Sequence, residues 1–175
     1  DVVISNFSNR VLPNLGIDAA RIHALNHRAI FVTMPGYALG GPWGNYVGFG
    51  TAFEYTSVSA SVTGYPDGRP KQSVLCDPTV GYHTLSAVLL ALEQREQTGK
   101  GSTVEVPQAE TLDTLYAPEW IAVQLGAPVP SHQGNQHAWM APHNAYRVNG
   151  QDEWITIAIA NNEEFATLCD ALEIS

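Results

Sequence analysis

The sequence predicts an α/β protein built on a parallel sheet. Short runs rich in β-branched residues alternate with helical patterns along most of the chain, which is typical of consecutive strand–helix units. The longest helical pattern, residues 78–97, has the apolar body LSAVLLAL and therefore predicts a central, buried helix. No internal repeat or low-complexity segment competes with this interpretation.

The first part of the chain predicts two strands and a helix. The run DVVISNF predicts a buried strand, DAARIHAL predicts a short helix with Asp18 as its N-cap, and AIFVTM predicts a second buried strand. A loop rich in glycine, proline and aromatic residues follows over residues 35–50. Long irregular loops of this kind often carry function.

The long helix has the clearest end signals in the chain. It follows a predicted helix over residues 51–62 and a turn-rich connector over residues 63–71. Asp77 is its expected N-cap, Pro78 occupies the first helical position, and Gly99 stands just past its end.

The last third of the chain changes character at Gly126. Before that point, STVEV predicts a strand and residues 109–125 predict a helix interrupted near Pro118. After it, residues 127–142 have little periodicity and predict a linker or an active-site loop. The remaining segments are expected to be a hairpin of AYRV and EWITIAIA around NGQD, and a final helix capped by Asn161 or Asn162 with Glu163 and Glu164 in its first turn.

Composition and charge exclude several classes of function. The 175 residues suffice for one domain, or for one domain and part of another. Apolar residues make up 45% of the chain and charged residues 14%, and this composition predicts a globular core. The net charge of -9 argues against nucleic acid and membrane as partners. Cys76 and Cys169 show no disulfide or metal spacing, which favours a reduced, cytoplasmic protein. Because the sequence opens within a strand and without Met, we expect a fragment of a longer protein.

Asp77 is open to two interpretations. An Asp–Pro pair at a helix start is ordinary capping, worth about 1 kcal/mol, and the pattern alone favours this interpretation. The same position also suits a nucleophile, because a carboxylate there faces free N–H groups and the positive end of the helix dipole. Gly81, one turn further along, would leave room for a ligand.

The other candidates carry weaker patterns. Cys76 lies near a helix start, where a thiol can become reactive, but a small buried hydrophobe is the default interpretation. The glycine-rich loop matches no phosphate-binding motif, and its aromatic residues could line an organic-ligand pocket or pack in the core. Three loop histidines lack the spacing of a metal site, so no metal is predicted. The aromatic residues are Tyr37, Trp43, Tyr46 and Phe49, and the histidines are His132, His137 and His143.

Five segments, in their order along the chain, resemble the motifs of one known family. DVVISNFSNRVLPNLGID resembles its Asn-Phe strand and the leucine–glycine segment after it, and HRAIFVTMPGYALGGPW resembles its next strand and glycine loop. TGYPDGRP resembles its TGxPDGPP turn. LCDPTVGYHTLSAVLLALEQREQTGKGSTVEV resembles the stretch that holds its catalytic aspartate, and GNQHAWMAPHNAYRVNGQDEWITIAIANNEEFATLCDAL resembles the start of its small domain. In this order and spacing the segments resemble the family III CoA-transferases, also called the CaiB/BaiF group.

The resemblance implies an acyl-CoA:carboxylate CoA-transferase with Asp77 as nucleophile. Its carboxylate would attack the thioester of a donor acyl-CoA, and coenzyme A would open the resulting anhydride to leave an aspartyl-CoA thioester. An acceptor carboxylic acid would then take the coenzyme A from Asp77. Backbone N–H groups near the helix start would stabilise the oxyanions. Coenzyme A is a substrate in this scheme, and no tightly bound cofactor is expected.

The resemblance also implies contacts with coenzyme A and marks departures from the family. Many members have Asn-Phe-Arg-Pro-Gly where this chain has Ser8 and Asn9, so Arg10 is the cation expected to substitute. The racemases of the group carry a histidine at the position of Phe49. Because this chain lacks that histidine, a 2-methylacyl-CoA racemase is a less favoured interpretation than a transferase. A catalytically silent CoA-binding half of a fused protein is the other alternative. The expected binding residues are Arg10, Gly36, Tyr37, Phe49, Gly50, Lys71, Gly81 and His137.

The implied architecture is a Rossmann-like large domain joined to a smaller α+β domain, in an interlocked homodimer. Residues 1–126 would form the back half of the CoA-binding large domain, residues 127–142 the linker or active-site loop, and residues 143–175 the start of the small domain. A fragment of this extent is not expected to be active by itself.

Overall fold

The computed structural model describes residues 1–174, which form five β-strands, eight α-helices and one 3₁₀ turn. The strands are β1 (Val2–Ser5), β2 (Ile30–Thr33), β3 (Thr103–Glu105), β4 (His143–Arg147) and β5 (Trp154–Ala158). The helices are α1 (Val11–Asn14), α2 (Ala19–Leu25), α3 (Gly50–Thr56), α4 (Val58–Val62), α5 (Cys76–Thr98), α6 (Gln108–Asp113), α7 (Ala117–Gln124) and α8 (Asn162–Ala171), and the 3₁₀ turn is Thr114–Tyr116.

The first three strands form a parallel sheet in the order β1–β2–β3, which confirms the predicted α/β class. Ile30 and Val32 of the central strand are fully buried, as predicted for AIFVTM. Within the described residues β1 is an edge strand, and its Val3 and Ile4 are exposed. The prediction of a buried first strand is therefore wrong for residues 1–174, among which β1 pairs with β2 alone.

Helix α5 covers one face of this sheet. Ala91, with Val88 and Leu92 beside it, packs against Ile30 and Val32 of β2. Nearer its start, the helix joins a second cluster that includes buried side chains of α3 and α6. These contacts bring the first turn of α5 to the edge of the sheet where the strands end.

The opposite side of α5 is uncovered by residues 1–174. Leu85, Leu89 and Leu90 are exposed, although the sequence predicted a helix buried nearly all round. That prediction is wrong for the described residues because the sheet, α3 and α6 all contact the same side of the helix.

The end predicted for α5 is confirmed, and the residue predicted to cap its start is not. Gly99 ends the helix with a left-handed φ of 72°, as predicted, and its N–H bonds to the Arg95 carbonyl oxygen. At the other end the helix begins at Cys76, with Leu75 in the N-cap position. Asp77 lies inside the first turn and makes no capping hydrogen bond, so its predicted N-cap role is wrong. The carboxylate that accepts the N–H groups at this helix start belongs to Glu54 of α3.

Two other predicted helices are divided. The expected helix over residues 51–62 breaks at Ser57, which is extended and whose Oγ accepts the Ser59 N–H at 3.1 Å. The helix over residues 109–125 breaks through the 3₁₀ turn, and Pro118 lies at the start of α7, which confirms the predicted interruption. Helix α1 was not predicted.

The end of the chain follows its pattern. Strands β4 and β5 form the predicted antiparallel hairpin, and Asn161 caps α8 by accepting the Glu164 N–H at 2.9 Å. Ile157 and Ile159 are partly covered, whereas Ile155 is exposed, so the predicted buried face is incomplete. Among residues 1–174, every helix is too short or too polar to cross a membrane.

Candidate active site

A pocket of about 270 Å³ lies at the carboxyl ends of the three parallel strands. Asn6 follows β1, Met34 follows β2, and Gln108 opens α6 just after β3. The first two turns of α5 complete the lining with Asp77, Val80 and Gly81. Ligands of open α/β sheets bind in the crevice outside the carboxyl ends of the strands, so this pocket is the candidate active site.

Asp77 places an exposed carboxylate in this pocket, directly against the start of α3. A Cβ atom added to Gly50 would lie 3.0 Å from the Asp77 Cγ and would overlap its Oδ1. Two residues predicted for the site, Asp77 and Gly50, are thus in contact. Gly81 also lines the pocket, and a Cβ there would meet no atom within 4 Å among the described residues, which leaves the open space that was predicted for a ligand.

Glu54 is the residue of this region that sequence reasoning missed. Its side chain is only 3% exposed, and its carboxylate accepts four backbone hydrogen bonds from the segment that leads into α5. Burial would by itself raise the pKa of Glu54, but the four N–H donors together hold that pKa below its usual value. The donors are the N–H groups of Ser73 (3.0 Å), Val74 (3.1 Å), Leu75 (2.7 Å) and Cys76 (3.2 Å).

These bonds change which donors at the helix start can serve a ligand. The N–H groups of Leu75 and Cys76 are occupied by Glu54, and Pro78 has none. The Asp77 N–H makes no hydrogen bond to any residue between 1 and 174. The expectation of several free N–H groups at this helix start is therefore wrong, because a buried carboxylate of α3 already binds them.

Two carboxamides face the same pocket and were not predicted. Gln108 is held firmly, since its Nε2 donates to the Met34 carbonyl oxygen at 3.1 Å and its main-chain N–H donates to that of Pro35 at 2.8 Å. Asn6 lies in the Asn-Phe pair of the first strand, for which the sequence predicted no binding role. A carboxamide supplies N–H donors and a carbonyl acceptor, so both residues can bind an acyl or amide group.

Cys76 belongs to the core rather than to the chemistry. Its side chain is 1% exposed and packs in the cluster with Val80, Phe53 and Leu112. Burial, followed by the negative charges of Asp77 and Glu54, raises the pKa of the Cys76 thiol to about 12. The thiol is therefore protonated at neutral pH, and the default interpretation of a small buried hydrophobe is confirmed.

The predicted aromatic residues divide between core and surface. Tyr37 is buried, packs edge-on against Phe53, and its hydroxyl hydrogen bonds with the Thr56 Oγ1 at 2.9 Å. Gly36 gives the Phe53 ring the space that a side chain would fill. Phe49 is 86% exposed and directly precedes Gly50, which places it near the Asp77 pocket with its ring in solvent.

Of the predicted binding residues, only Gly81 belongs to the described lining of the Asp77 pocket, and Arg10, Lys71 and His137 are among those that do not. Arg10 is exposed at the start of α1, and Lys71 is exposed in the connector, where its main-chain N–H bonds to the Thr63 carbonyl oxygen. His137 packs edge-on against Trp139, with ring centroids 4.2 Å apart, and lies 5.0 Å from the His143 ring. The structure does not bring these residues to Asp77, and their roles remain predictions.

Asn9, which with Ser8 departs from the family's Asn-Phe-Arg-Pro-Gly pattern, has a structural role. Its Nδ2 donates to the carbonyl oxygens of Tyr37 at 3.1 Å and Gly44 at 2.8 Å. Glu105 and Glu110 hold the same loop by accepting the N–H groups of Leu39 and Ala38. These two loop N–H groups are therefore occupied and do not form a phosphate site.

Comparison with known proteins decides the family. The family model described as CoA-transferase family III matches residues 1–175, the whole chain. The chain belongs to CoA-transferase family III. This confirms the resemblance drawn from the motifs.

The relatives of this family III chain include CoA-transferases for small dicarboxylic acids. It is 27% identical to succinate–glutarate CoA-transferase of Agrobacterium fabrum over 99% of this chain, and 28% identical to acetyl-CoA:oxalate CoA-transferase of Acetobacter aceti over 98%. In both cases it spans 44% of the relative's length. Less than half of each relative is therefore represented here.

Solved structures agree on the fold of the family III chain. A CaiB/BaiF family protein from Brucella suis superposes with a TM-score of 0.86 at 27% identity, over 99% of this chain and 46% of that protein. The three-stranded parallel sheet with flanking helices and the small antiparallel sheet are thus features of the CaiB/BaiF fold.

Proposed function

We propose that this chain forms part of an acyl-CoA:carboxylate CoA-transferase in which Asp77 is the nucleophile. One observation carries the proposal: Asp77 is the only acidic side chain in the described lining of the pocket at the carboxyl ends of the parallel strands. The family assignment supports CoA transfer as the reaction in which a carboxylate in that position takes part.

The proposed reaction has four steps, and each transfers one group without a net proton change. An Asp77 Oδ attacks the thioester carbonyl carbon of the donor, and the C–S bond breaks to give an acyl–aspartyl anhydride and coenzyme A thiolate. The thiolate attacks the Asp77 carbonyl carbon and releases the donor acid as a carboxylate. The acceptor carboxylate then attacks the aspartyl-CoA thioester, and the freed thiolate attacks the acceptor acyl carbon, which regenerates the Asp77 carboxylate.

The pocket contains groups that suit these steps. Charge develops on the carbonyl oxygen in every step, and a donor fixed beforehand stabilises it best. The unoccupied Asp77 N–H and the carboxamides of Asn6 and Gln108 are the donors that the described lining offers. In this proposal they replace the cluster of helix-start N–H groups that Glu54 occupies.

We propose a small carboxylic acid, with dicarboxylic acids first, as the acceptor. The names of two relatives, succinate–glutarate and acetyl-CoA:oxalate CoA-transferase, support this choice. The described lining of the pocket has no cationic side chain, so the second carboxylate of such an acid would bind a group outside that lining.

The racemase alternative has less support. Racemisation at C2 needs an acid and a base on opposite faces of the substrate, and Phe49 offers no ionisable group beside Asp77. The proposal further includes the predicted domain limits at residues 126 and 142, an interlocked homodimer and a cytoplasmic location. Limited proteolysis, size-exclusion chromatography and cell fractionation test these three points.

A substrate panel tests the proposed function in the full-length protein. Succinyl-, acetyl- and oxalyl-CoA are each mixed with succinate, glutarate or oxalate, and new acyl-CoA species are detected by mass spectrometry. We expect exchange with the wild-type protein and none with Asp77→Asn, whose amide is a poor nucleophile. Deuterium exchange at C2 without acyl transfer would favour the racemase, and coenzyme A binding without turnover would favour a silent binding half.

A further inference from the structure

We propose that Glu54 is a positioning residue for Asp77, a role that rests on the proposed function of Asp77. Helix α3 contacts the start of α5 at two points one turn apart. Gly50 packs against the Asp77 carboxylate, and Glu54 binds the backbone immediately before it. Residues four apart lie on the same face of a helix, so a single face of α3 makes both contacts.

The four hydrogen bonds of Glu54 fix the backbone that sets the direction of Asp77. Both carboxylate oxygens accept two N–H groups each, at 2.7–3.2 Å, from four consecutive residues, Ser73 to Cys76. The carboxylate is buried, and water therefore does not compete for these bonds. Asp77 is the next residue after this segment, so its Cα position is set by the segment that Glu54 binds.

The bound segment has a conformation that needs support. Val74 has a φ of 55°, in the left-handed region that a β-branched residue rarely adopts. Its side chain is exposed, and therefore packing of that side chain does not stabilise the turn. Such backbone strain persists where surrounding contacts over-determine the conformation, and the Glu54 carboxylate supplies those contacts on both sides of Val74.

Glu54 is distinct from the reacting groups. The Asp77 pocket is lined by six residues, and Glu54 is not one of them. It therefore acts through the backbone and does not touch the substrate. A positioning role of this kind predicts that loss of Glu54 lowers the rate of the chemical step and changes substrate binding little. The reason is that misplacement of a reacting atom affects the transition state most.

Glu54→Gln is the direct test in the full-length protein. The single carbonyl oxygen of Gln can replace only one oxygen of Glu54, and its NH₂ group would face N–H donors. With succinyl-CoA as donor, we expect the rate constant for adduct formation on Asp77 to fall at least tenfold, while KM for succinyl-CoA changes less than twofold. Amide hydrogen exchange over residues 73–76 should accelerate. Glu54→Asp, which keeps the charge but shortens the reach, should recover part of the rate.

Glu164→Gln is the matched control, because Glu164 also accepts a backbone N–H near a helix start, that of Ala160 at 2.8 Å, and lies outside the Asp77 pocket. It should leave the adduct rate unchanged. An adduct rate within twofold of wild type in Glu54→Gln would overturn the inference. A raised KM for succinyl-CoA, with an unchanged adduct rate at saturating succinyl-CoA, would also overturn it. If Glu54→Gln does not fold, Glu54→Asp is measured instead, and an adduct rate equal to that of wild type in this variant would overturn the inference. Asp77→Asn is measured in parallel, since exchange by that variant would overturn the proposed function instead.

Discussion

The Gly50→Ala variant should displace Asp77 without unfolding the protein, so it tests the position of Asp77 independently of stability. The added Cβ would lie 3.0 Å from the Asp77 Cγ, whereas carbon atoms in favourable contact are about 3.5–4.0 Å apart. Asp77 or α3 must therefore shift by roughly 0.5–1 Å. Because a misplacement of about 1 Å can slow a reaction about 100-fold, we expect the rate of adduct formation to fall by about 10- to 100-fold.

The same change should leave the fold intact. Gly50 is the first residue of α3 and lacks a left-handed φ, and Ala favours a helix over Gly by up to about 1 kcal/mol. This gain offsets part of the clash, so the free energy of unfolding in urea should change by less than about 1 kcal/mol. Gly40→Ala is the control, since a Cβ there would meet nothing within 4 Å. Normal adduct formation in Gly50→Ala, or a loss of rate that follows a loss of folded protein, would contradict a role of the Gly50 contact in placing Asp77.

Two further predictions follow from the pKa shifts. Because the pKa of the Cys76 thiol is raised to about 12, iodoacetamide at pH 8 should leave Cys76 unmodified in the native protein and should alkylate it in urea. Peptide mass spectrometry measures the alkylation. Alkylation of Cys76 in the native protein would contradict its assignment to the core. The folded-state pKa of Glu54 is lowered, so its contribution to the free energy of unfolding is present above its ordinary pKa of 4.5 and is lost as pH falls below that value. In urea titrations between pH 3 and 6, Glu54→Gln should therefore lose less stability on acidification than wild type does.

The sequence predicted the elements whose patterns are local. Strand β2, the interruption at Pro118, the hairpin and the caps Asp18, Gly99 and Asn161 each depend on a few neighbouring residues, and the structure agrees with them. The order of several modest motifs also predicted the family, because their spacing restricts the match more than any one motif does.

The site was only partly predictable, because its decisive contacts are long-range. Asp77 was assigned as the N-cap from the Asp–Pro pair, but the capping carboxylate is Glu54, which is 22 residues from Cys76 in sequence. No local pattern shows that a glutamate between Phe53 and Tyr55 will be buried and will bind the backbone at the start of another helix. Asn6 and Gln108 were missed for the same reason, since only the parallel pairing of the strands brings them together.

The most direct test of the central claim is the mass of the Asp77 peptide after reaction with an acyl-CoA. The full-length protein is incubated with succinyl-CoA, quenched in acid, digested and analysed by mass spectrometry, with and without hydroxylamine. We expect a coenzyme A thioester on Asp77 that hydroxylamine removes and that Asp77→Asn does not form. Acyl exchange at a normal rate with Asp77 unmodified, or with the adduct on another residue, would contradict it.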